Sequence, residues 1–164
     1  MRAKTLVKTA GAAFVTAAVG GLASGPAVES DWYEKLRKPS FQPPRQAFPI
    51  VWPLLYADIA VVSAATVDQL DEQGRSDEAR AYSLRLALNL VLNAGWSWLF
   101  FNRRWLGASA VGAAALTASS ADLARRSVAV RGAPAAPLAL YPLWCAFATA
   151  LSSRIWWLNR GQYS

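Results

Sequence analysis

The stretch AYSLRLALNLVLNAGWSWLFF (residues 81–101) decides the fold class of this chain. A helix that crosses the roughly 30 Å hydrocarbon core of a bilayer needs about 20 mostly apolar residues. This stretch is long enough and contains one charged side chain, Arg85. Backbone groups in lipid must form their hydrogen bonds within their own segment. The stretch therefore predicts a membrane-spanning α-helix.

Four further apolar stretches satisfy the same length criterion, and they occupy residues 6–28, 48–67, 106–123 and 135–158. We therefore expect an all-α membrane protein, a single domain over residues 1–164 that forms a five-transmembrane-helix bundle. The stretch 106–123 is only weakly apolar, but its Ala, Gly and Ser residues would let it approach other helices closely.

The first apolar stretch has two interpretations. Arg2, Lys4 and Lys8 precede a short Ala-rich run, which is also typical of a cleavable signal peptide. The apolar run continues to Val28, and this length favours a retained helix. The basic residues do not set the orientation, because the 17 Lys and Arg divide almost equally between the two ends of the bundle.

The composition excludes several functions. His is absent, and Cys and Met each occur once. Ser-His-Asp and Cys-His catalysis and His-liganded zinc or haem iron are therefore impossible. We expect no metal site and no cofactor. The net charge of +7 comes from residues between apolar runs, which indicates a membrane surface as partner and not nucleic acid.

One face of the stretch 81–101 contains Asn89, Asn93, Trp96 and Phe100, which share helical spacing. Amides inside a membrane should face protein, because an unpaired amide in hydrocarbon is costly. They could hydrogen-bond to neighbouring helices, or they could be polar groups in an aromatic pocket. Spacing alone leaves both interpretations open.

The neighbouring stretches favour a pocket. Stretch 48–67 has an aromatic face made of Trp52, Leu55, Tyr56 and Ile59. Stretch 135–158 has an aromatic face made of Tyr141, Trp144, Ala148, Ser152 and Ile155. Tryptophans near helix ends also form interfacial belts, and Trp105, Trp156 and Trp157 fit that alternative. Small residues beside large aromatic ones leave space for a flat ligand, as in typical small-molecule sites. Asp58 is an intramembrane carboxyl group, which is either functional or simply neutral or solvated.

The segment between the first two apolar stretches, residues 29–47, is rich in Pro and aromatic residues. Proline restricts the backbone and prevents a long helix here. A long loop in a compact bundle is usually functional. We interpret it as a lid over one end of the bundle, with a surface connector on lipid headgroups as the alternative.

These residues resemble the TspO/translocator-protein family, also called the tryptophan-rich sensory or peripheral-type benzodiazepine receptor family. The matching motifs are WYEKLRKPSFQPP (32–44), FPIVWPLLY (48–56), LNLVLNAGWSWLFFN (88–102) and WCAFATALSSRIWWLN (144–159). The resemblance implies a five-helix membrane protein, often dimeric, whose pocket beneath the first loop binds porphyrins and other flat hydrophobic ligands. Ser152 stands where the family has Asn, and Ser153 stands where vertebrate members have a sterol-motif Tyr.

The resemblance also implies a set of ligand-binding residues: Trp32, Tyr33, Pro43, Trp52, Tyr56, Asn93, Trp96, Trp144 and Ala148. The expected function is tetrapyrrole binding for transport, sensing or regulation. The alternative is light-dependent porphyrin degradation, in which Trp52 and Trp144 would be the catalytic residues. A third possibility is a small membrane protein that binds no flat ligand. For the dimer we expect contact through the face with Ala87, Ala94 and Gly95, with Gly21/Gly25 and residues 108–120 as alternatives.

Overall fold

A computed structural model describes residues 1–162, and every regular element in that range is helical. The six α-helices of the described chain are α1 (Ala3–Val28), α2 (Asp31–Lys35), α3 (Phe48–Glu72), α4 (Ser76–Ser97), α5 (Leu106–Arg131) and α6 (Leu140–Asn159). Two 3-10 segments, Arg45–Ala47 and Ala133–Ala139, precede α3 and α6, and a π-helical turn, Trp98–Asn102, ends α4.

Four of the helical segments are long and apolar enough to cross a membrane: Ala3–Val28, Arg45–Glu72, Ser76–Asn102 and Ala133–Asn159. This confirms the all-helical prediction and indicates several membrane passes. Helix α5 is equally long but falls short in composition, so four helices meet the criterion where five were expected. Its many Ala, Gly and Ser residues are weakly apolar, and its last three turns contain Asp122 and three arginines.

The charged residues 68–80, expected to form a loop, are mostly helical. Helix α3 continues to Glu72 and α4 begins at Ser76, so only a tight turn separates them. Gly74 in that turn has φ of +73°, a left-handed conformation that Gly adopts without a Cβ penalty. The charged side chains at the ends of α3 and α4 can reach water while the backbone keeps its helical hydrogen bonds. Both helices are therefore longer than their apolar stretches.

Helix α6 begins later than the apolar stretch suggests. Residues Ala133–Ala139 form a 3-10 segment instead, and Ala135 and Leu138 within it are fully buried. Pro134 and Pro137 have no backbone N–H to donate, so a regular α-helix is disfavoured here. The apolar span therefore continues through this segment into α6.

Helix α1 packs along α3 through polar as well as apolar contacts. Thr9 Oγ1 donates to the Ala60 carbonyl at 2.8 Å, and Thr5 Oγ1 donates to Asp68 Oδ1 at 2.6 Å. The Arg2 guanidinium bonds to Asp68 at 3.0 Å and to Asp71 at 2.7 Å. The buried Asp68 carboxylate is therefore fully paired by the first turn of α1.

Helices α5 and α6 form the most extensive pair in the bundle. Gly107 permits their close approach, because a Cβ at this position would lie 3.1 Å from Trp156 Nε1. Further along, the hydroxyls of Thr117 and Thr149 are hydrogen-bonded at 3.0 Å. Small residues thus hold α5 inside the bundle despite its weak hydrophobicity.

Asp58 lies near the middle of α3 and is half-buried. Its Oδ2 atom is buried and has no hydrogen-bond partner among the described residues.

Candidate functional site

A cavity lined largely by aromatic side chains lies at the end of the bundle where the 29–47 loop meets α3, α4 and α6. Its free volume is about 40 Å³, so the side chains that line it already fill most of the space. The lining residues are Tyr33, Gln42, Phe48, Trp52, Trp96, Phe100, Phe101, Trp144, Phe147, Ala148, Leu151, Ser152 and Ile155. A mostly apolar, aromatic lining with a few polar groups is typical of a small-molecule site.

Two tryptophans from different helices form one wall. The rings of Trp52 on α3 and Trp144 on α6 are nearly perpendicular, with centroids 6.4 Å apart. Tyr56 stacks on Trp52 at 5.6 Å, and Phe48 meets the Trp144 ring edge-on at 5.9 Å. These contacts fix both indole rings in edge-to-face and offset geometries that aromatic pairs prefer. Both indole rings are therefore closely packed against their aromatic neighbours.

The opposite wall comes from the end of α4. Trp96 stacks on Phe100 at 5.9 Å, and Phe100 meets Phe101 edge-on at 4.9 Å. Consecutive residues of a regular α-helix point about 100° apart, but the turn Trp98–Asn102 is π-helical. This wider turn brings both Phe100 and Phe101 to the cavity. π-turns of this kind are frequent at functional sites.

The 29–47 loop supplies the remaining side of the cavity through Tyr33 and Gln42. Ser30 caps the short helix α2 by accepting from the Tyr33 N–H at 3.3 Å, and Gln42 Nε2 donates to Tyr33 Oη at 3.1 Å. The Lys38 ammonium lies 4.4 Å from the Tyr33 ring centroid and donates to the Tyr33 carbonyl. Burial raises the pKa of Tyr33, so its hydroxyl keeps its proton at neutral pH.

The loop is attached to the bundle at two further places. Asn159 Oδ1 accepts from the Arg37 N–H at 3.0 Å, and Asn159 Nδ2 donates to the Arg37 carbonyl at 2.8 Å. The Arg104 guanidinium lies 4.8 Å from the Trp32 ring centroid, a cation–π distance. Arg104 has φ of 57°, a conformation that is uncommon for residues other than Gly. The α4–α5 turn and the end of α6 together position the loop.

We expect Asn159→Ala to loosen the loop, because both hydrogen bonds to the Arg37 backbone are lost. Each such bond contributes about 1 kcal/mol, so the loss of both, about 2 kcal/mol, should accelerate amide hydrogen exchange across residues 30–42 about thirtyfold. The matched control is Asn102→Ala, an exposed asparagine at the neighbouring turn. Equal exchange rates in the two variants would show that Asn159 does not hold the loop.

The structure places five of the nine ligand-binding candidates on the cavity: Tyr33, Trp52, Trp96, Trp144 and Ala148. Trp32 is buried one layer behind, with its ring 6.2 Å from that of Phe100. Tyr56 stands behind Trp52, and Pro43 lies in the loop away from the lining. Trp32 and Tyr56 therefore support the walls.

Asn93 also lies away from the cavity, in a hydrogen-bond chain across the helices. Tyr56 Oη donates to Asn93 Oδ1 at 2.8 Å, and Asn93 Nδ2 donates to Tyr141 Oη at 3.0 Å. Tyr141 Oη donates in turn to Asn89 Oδ1 at 2.7 Å, and Asn89 Nδ2 reaches Ser120 Oγ at 3.1 Å. The chain joins α3, α4, α5 and α6. Of the two interpretations for these amides, the geometry favours helix–helix bonding.

Sequence reasoning left out several lining residues. Phe100, Ser152 and Ile155 lie on the helix faces predicted from spacing, and Phe147 follows Trp144 by one helical step on the same face. The ligand-binding set implied by the resemblance does not include these four residues. Phe101 could not be found from α-helical spacing, because only the π-turn directs it inward. Gln42 lies in an irregular loop, where spacing gives no signal.

The sequence matches the model of the TspO/MBR family over residues 9–158. It is 36% identical over 141 residues to the translocator protein of Ovis aries, which covers 81% of this chain and 78% of the relative. It is 28% identical over 150 residues to protein CrtK of Rhodobacter capsulatus, covering 91% of each. It is 26% identical over 132 residues to the tryptophan-rich protein TspO of Bacillus cereus, covering 80% of this chain and 83% of the relative.

Proposed function

Because this chain belongs to the TspO/MBR family and is an integral multi-pass membrane protein, we propose that its aromatic cavity binds porphyrins and related flat hydrophobic ligands. The protein would serve transport, sensing or regulation of tetrapyrrole levels. The observation that supports this most is the aromatic lining of the cavity, with Trp52 and Trp144 from α3 and α6 and Trp96 and Phe100 from the end of α4. Because the free volume is small, these rings would move apart to admit a porphyrin.

The polar groups of the cavity are few, as expected for a site that orients a mostly apolar ligand. The buried atoms Trp96 Nε1 and Gln42 Oε1 have no hydrogen-bond partner among the described residues. A ligand with both donor and acceptor groups, such as the pyrroles and carboxylates of a porphyrin, would satisfy them. Because the sequence has no His, the proposed ligand is a metal-free porphyrin held by stacking.

The proposed function includes three structural assignments. Helix α5 would be the fifth membrane helix, since it has 26 residues and packs against α3, α4 and α6. The 29–47 loop would be the lid, since Tyr33 and Gln42 close one side of the cavity. The five long helices would form one domain over residues 1–164, of which 163 and 164 lie outside the described residues. Its partners would be the lipid bilayer and the ligand, and not nucleic acid.

Equilibrium dialysis of protoporphyrin against the purified protein in detergent, in the dark, tests the proposed binding. Empty micelles of the same detergent are the control, because porphyrins partition into micelles. We expect saturable binding that a second flat hydrophobic ligand displaces. Uptake that rises linearly and equals that of empty micelles would contradict the proposal.

A second candidate function is light-dependent porphyrin degradation. The perpendicular indole rings of Trp52 and Trp144 line the same cavity, so a bound porphyrin would lie beside readily oxidised side chains. A porphyrin absorbs light itself, and no general acid or base is required. If illumination of the complex yields a discrete new pigment, and the Trp52→Phe variant yields none under the same light, the result would support this function. If the absorption spectrum of the bound porphyrin stays unchanged under illumination, the result would contradict degradation and support binding without turnover.

We also propose a homodimer through the exposed face of α4. Ala87 and Gly95 lie on this face, and Leu84, Leu88 and Val91 beside them are at least 60% exposed. Lipid-exposed small residues allow helix backbones of two copies to approach.

We expect Gly95→Leu to abolish crosslinking of the dimer while ligand binding persists. A side chain at Gly95 meets nothing within 4 Å inside one chain, so the fold of each protomer should tolerate it. Gly21→Leu is the matched control, since a side chain there also meets nothing within 4 Å. A dimer that survives Gly95→Leu but dissociates with Gly21→Leu would place the contact on α1.

A further inference from the structure

A second concave region lies at the other end of the bundle from the aromatic cavity. It is a groove with a free volume of about 170 Å³, open to solvent, between the α3–α4 turn and the last turns of α5. Its lining residues are Leu70, Arg75, Glu78, Ala81, Tyr82, Arg125, Arg126, Ala129 and Val130. Because α3 ends and α4 begins here, the groove lies where the bundle meets the membrane surface.

The rim on the α4 side is charged. The Arg75 guanidinium bonds to both carboxylate oxygens of Glu78, with Nε at 2.8 Å and Nη2 at 2.6 Å. Both side chains are more than 40% exposed. The pair has no net charge, and it lies at the solvent-exposed edge of the groove.

The rim on the α5 side has more cations than anions. Asp122 accepts from Arg125 Nη2 at 2.9 Å and from Arg126 Nε at 2.8 Å, and Arg85 lies 3.7 Å away. Three guanidinium groups therefore share one carboxylate. Each guanidinium has five N–H donors, so many donors around the groove have no carboxylate to bind. This rim therefore has a net positive charge, which an anion would complement.

The floor of the groove is apolar. Leu70 and Tyr82 are buried there, and Ala129 and Val130 complete the surface. The Tyr82 hydroxyl is hydrogen-bonded to Ser63 at 3.1 Å and to Ser127 at 2.9 Å inside the bundle. Tyr82 therefore presents its ring to the groove rather than its hydroxyl.

We propose that this groove binds an anionic phospholipid. The phosphate would lie against Arg125 and Arg126, since guanidinium groups bind phosphate by paired, charge-assisted hydrogen bonds. The acyl chain would follow the apolar floor toward the hydrocarbon core. Basic pockets between membrane helices at the surface are suited to such headgroups. A soluble phosphate uses only the rim, so the floor assigns the site to a lipid.

The test reconstitutes the full chain in bilayer nanodiscs of phosphatidylcholine with a minority of phosphatidylglycerol. After transfer to detergent, native mass spectrometry measures the ratio of the two lipids that stay bound. The unmodified protein should retain phosphatidylglycerol preferentially. Two variants address the groove: the double substitution Arg125→Gln/Arg126→Gln, and Ala129→Glu, which adds a carboxylate at an exposed position without removing an ion pair.

Both groove variants should lower the preference for phosphatidylglycerol about tenfold, since each basic residue near a membrane surface attracts anionic lipid appreciably. The control Arg103→Gln/Arg160→Gln removes the same charge at the other end of the bundle and should keep the preference. An equal loss of the preference in the control and the groove variants would overturn the proposal, because it would show that the preference depends only on the net charge of the protein. Complete displacement of the lipid by soluble glycerol phosphate would also overturn it.

Discussion

Trp144→Ala is expected to weaken protoporphyrin binding by about tenfold or more. An aromatic contact of this kind contributes about 1 kcal/mol beyond its buried area, and a tenfold change in affinity corresponds to about 1.4 kcal/mol. The substitution also removes the partner of Trp52, Phe48 and Phe147 in the cavity wall. The measurement is a binding titration in the dark, made on protein whose melting temperature has been checked.

Trp157→Ala is the matched control for this prediction. Trp157 lies on the same helix but is 50% exposed, and its ring contacts the Arg160 guanidinium at 3.5 Å rather than the cavity. Its loss should change porphyrin affinity little. If Trp144→Ala and Trp157→Ala both bind like the unmodified protein, the aromatic cavity is not the binding site.

Asn93→Leu is expected to reduce stability more than affinity. The substitution leaves the Tyr56 hydroxyl without its acceptor and the Tyr141 hydroxyl without one donor. A buried polar group that loses its partner costs about 1–3 kcal/mol, which should lower the melting temperature in detergent by several degrees. Porphyrin affinity per folded molecule should change far less, since Asn93 is not among the lining residues.

Val7→Leu serves as the control for Asn93, because Val7 is an apolar residue of α1 that is 70% exposed and lies on no proposed site or interface. It should leave both the melting temperature and the affinity unchanged. The opposite result for Asn93→Leu, a loss of affinity at unchanged melting temperature, would show that its amide contacts the ligand.

Much of the fold could be predicted from the sequence because the apolar stretches are long and the helical period is regular. The spacing of Trp52 and Tyr56, and of Asn89, Asn93 and Trp96, correctly places each set along one helix. The ends of the helices could not be predicted as well. Charged residues at a membrane surface fit both a loop and a solvated helix end, and the region 68–80 is mostly helix.

The candidate site is harder to predict than the fold. Residues that share one helix face can be recognised from their spacing, but the spacing does not show which neighbouring residues that face contacts. Asn93 and Trp96 are one helical step apart, yet Trp96 lines the cavity and Asn93 bonds to two tyrosines. The rotation of α4 relative to α3 and α6 decides this difference. The π-turn is likewise invisible to regular spacing, although it determines the position of Phe101.

The most direct test of the account is a titration of the purified protein with protoporphyrin, followed by tryptophan fluorescence in the dark and then under illumination. The chain has eight tryptophans, and Trp52, Trp96 and Trp144 line the cavity. The account predicts saturable quenching in the dark that is strongly reduced in Trp144→Ala, with the porphyrin spectrum preserved before illumination. Absence of quenching, or quenching identical in Trp144→Ala and the unmodified protein, would contradict it.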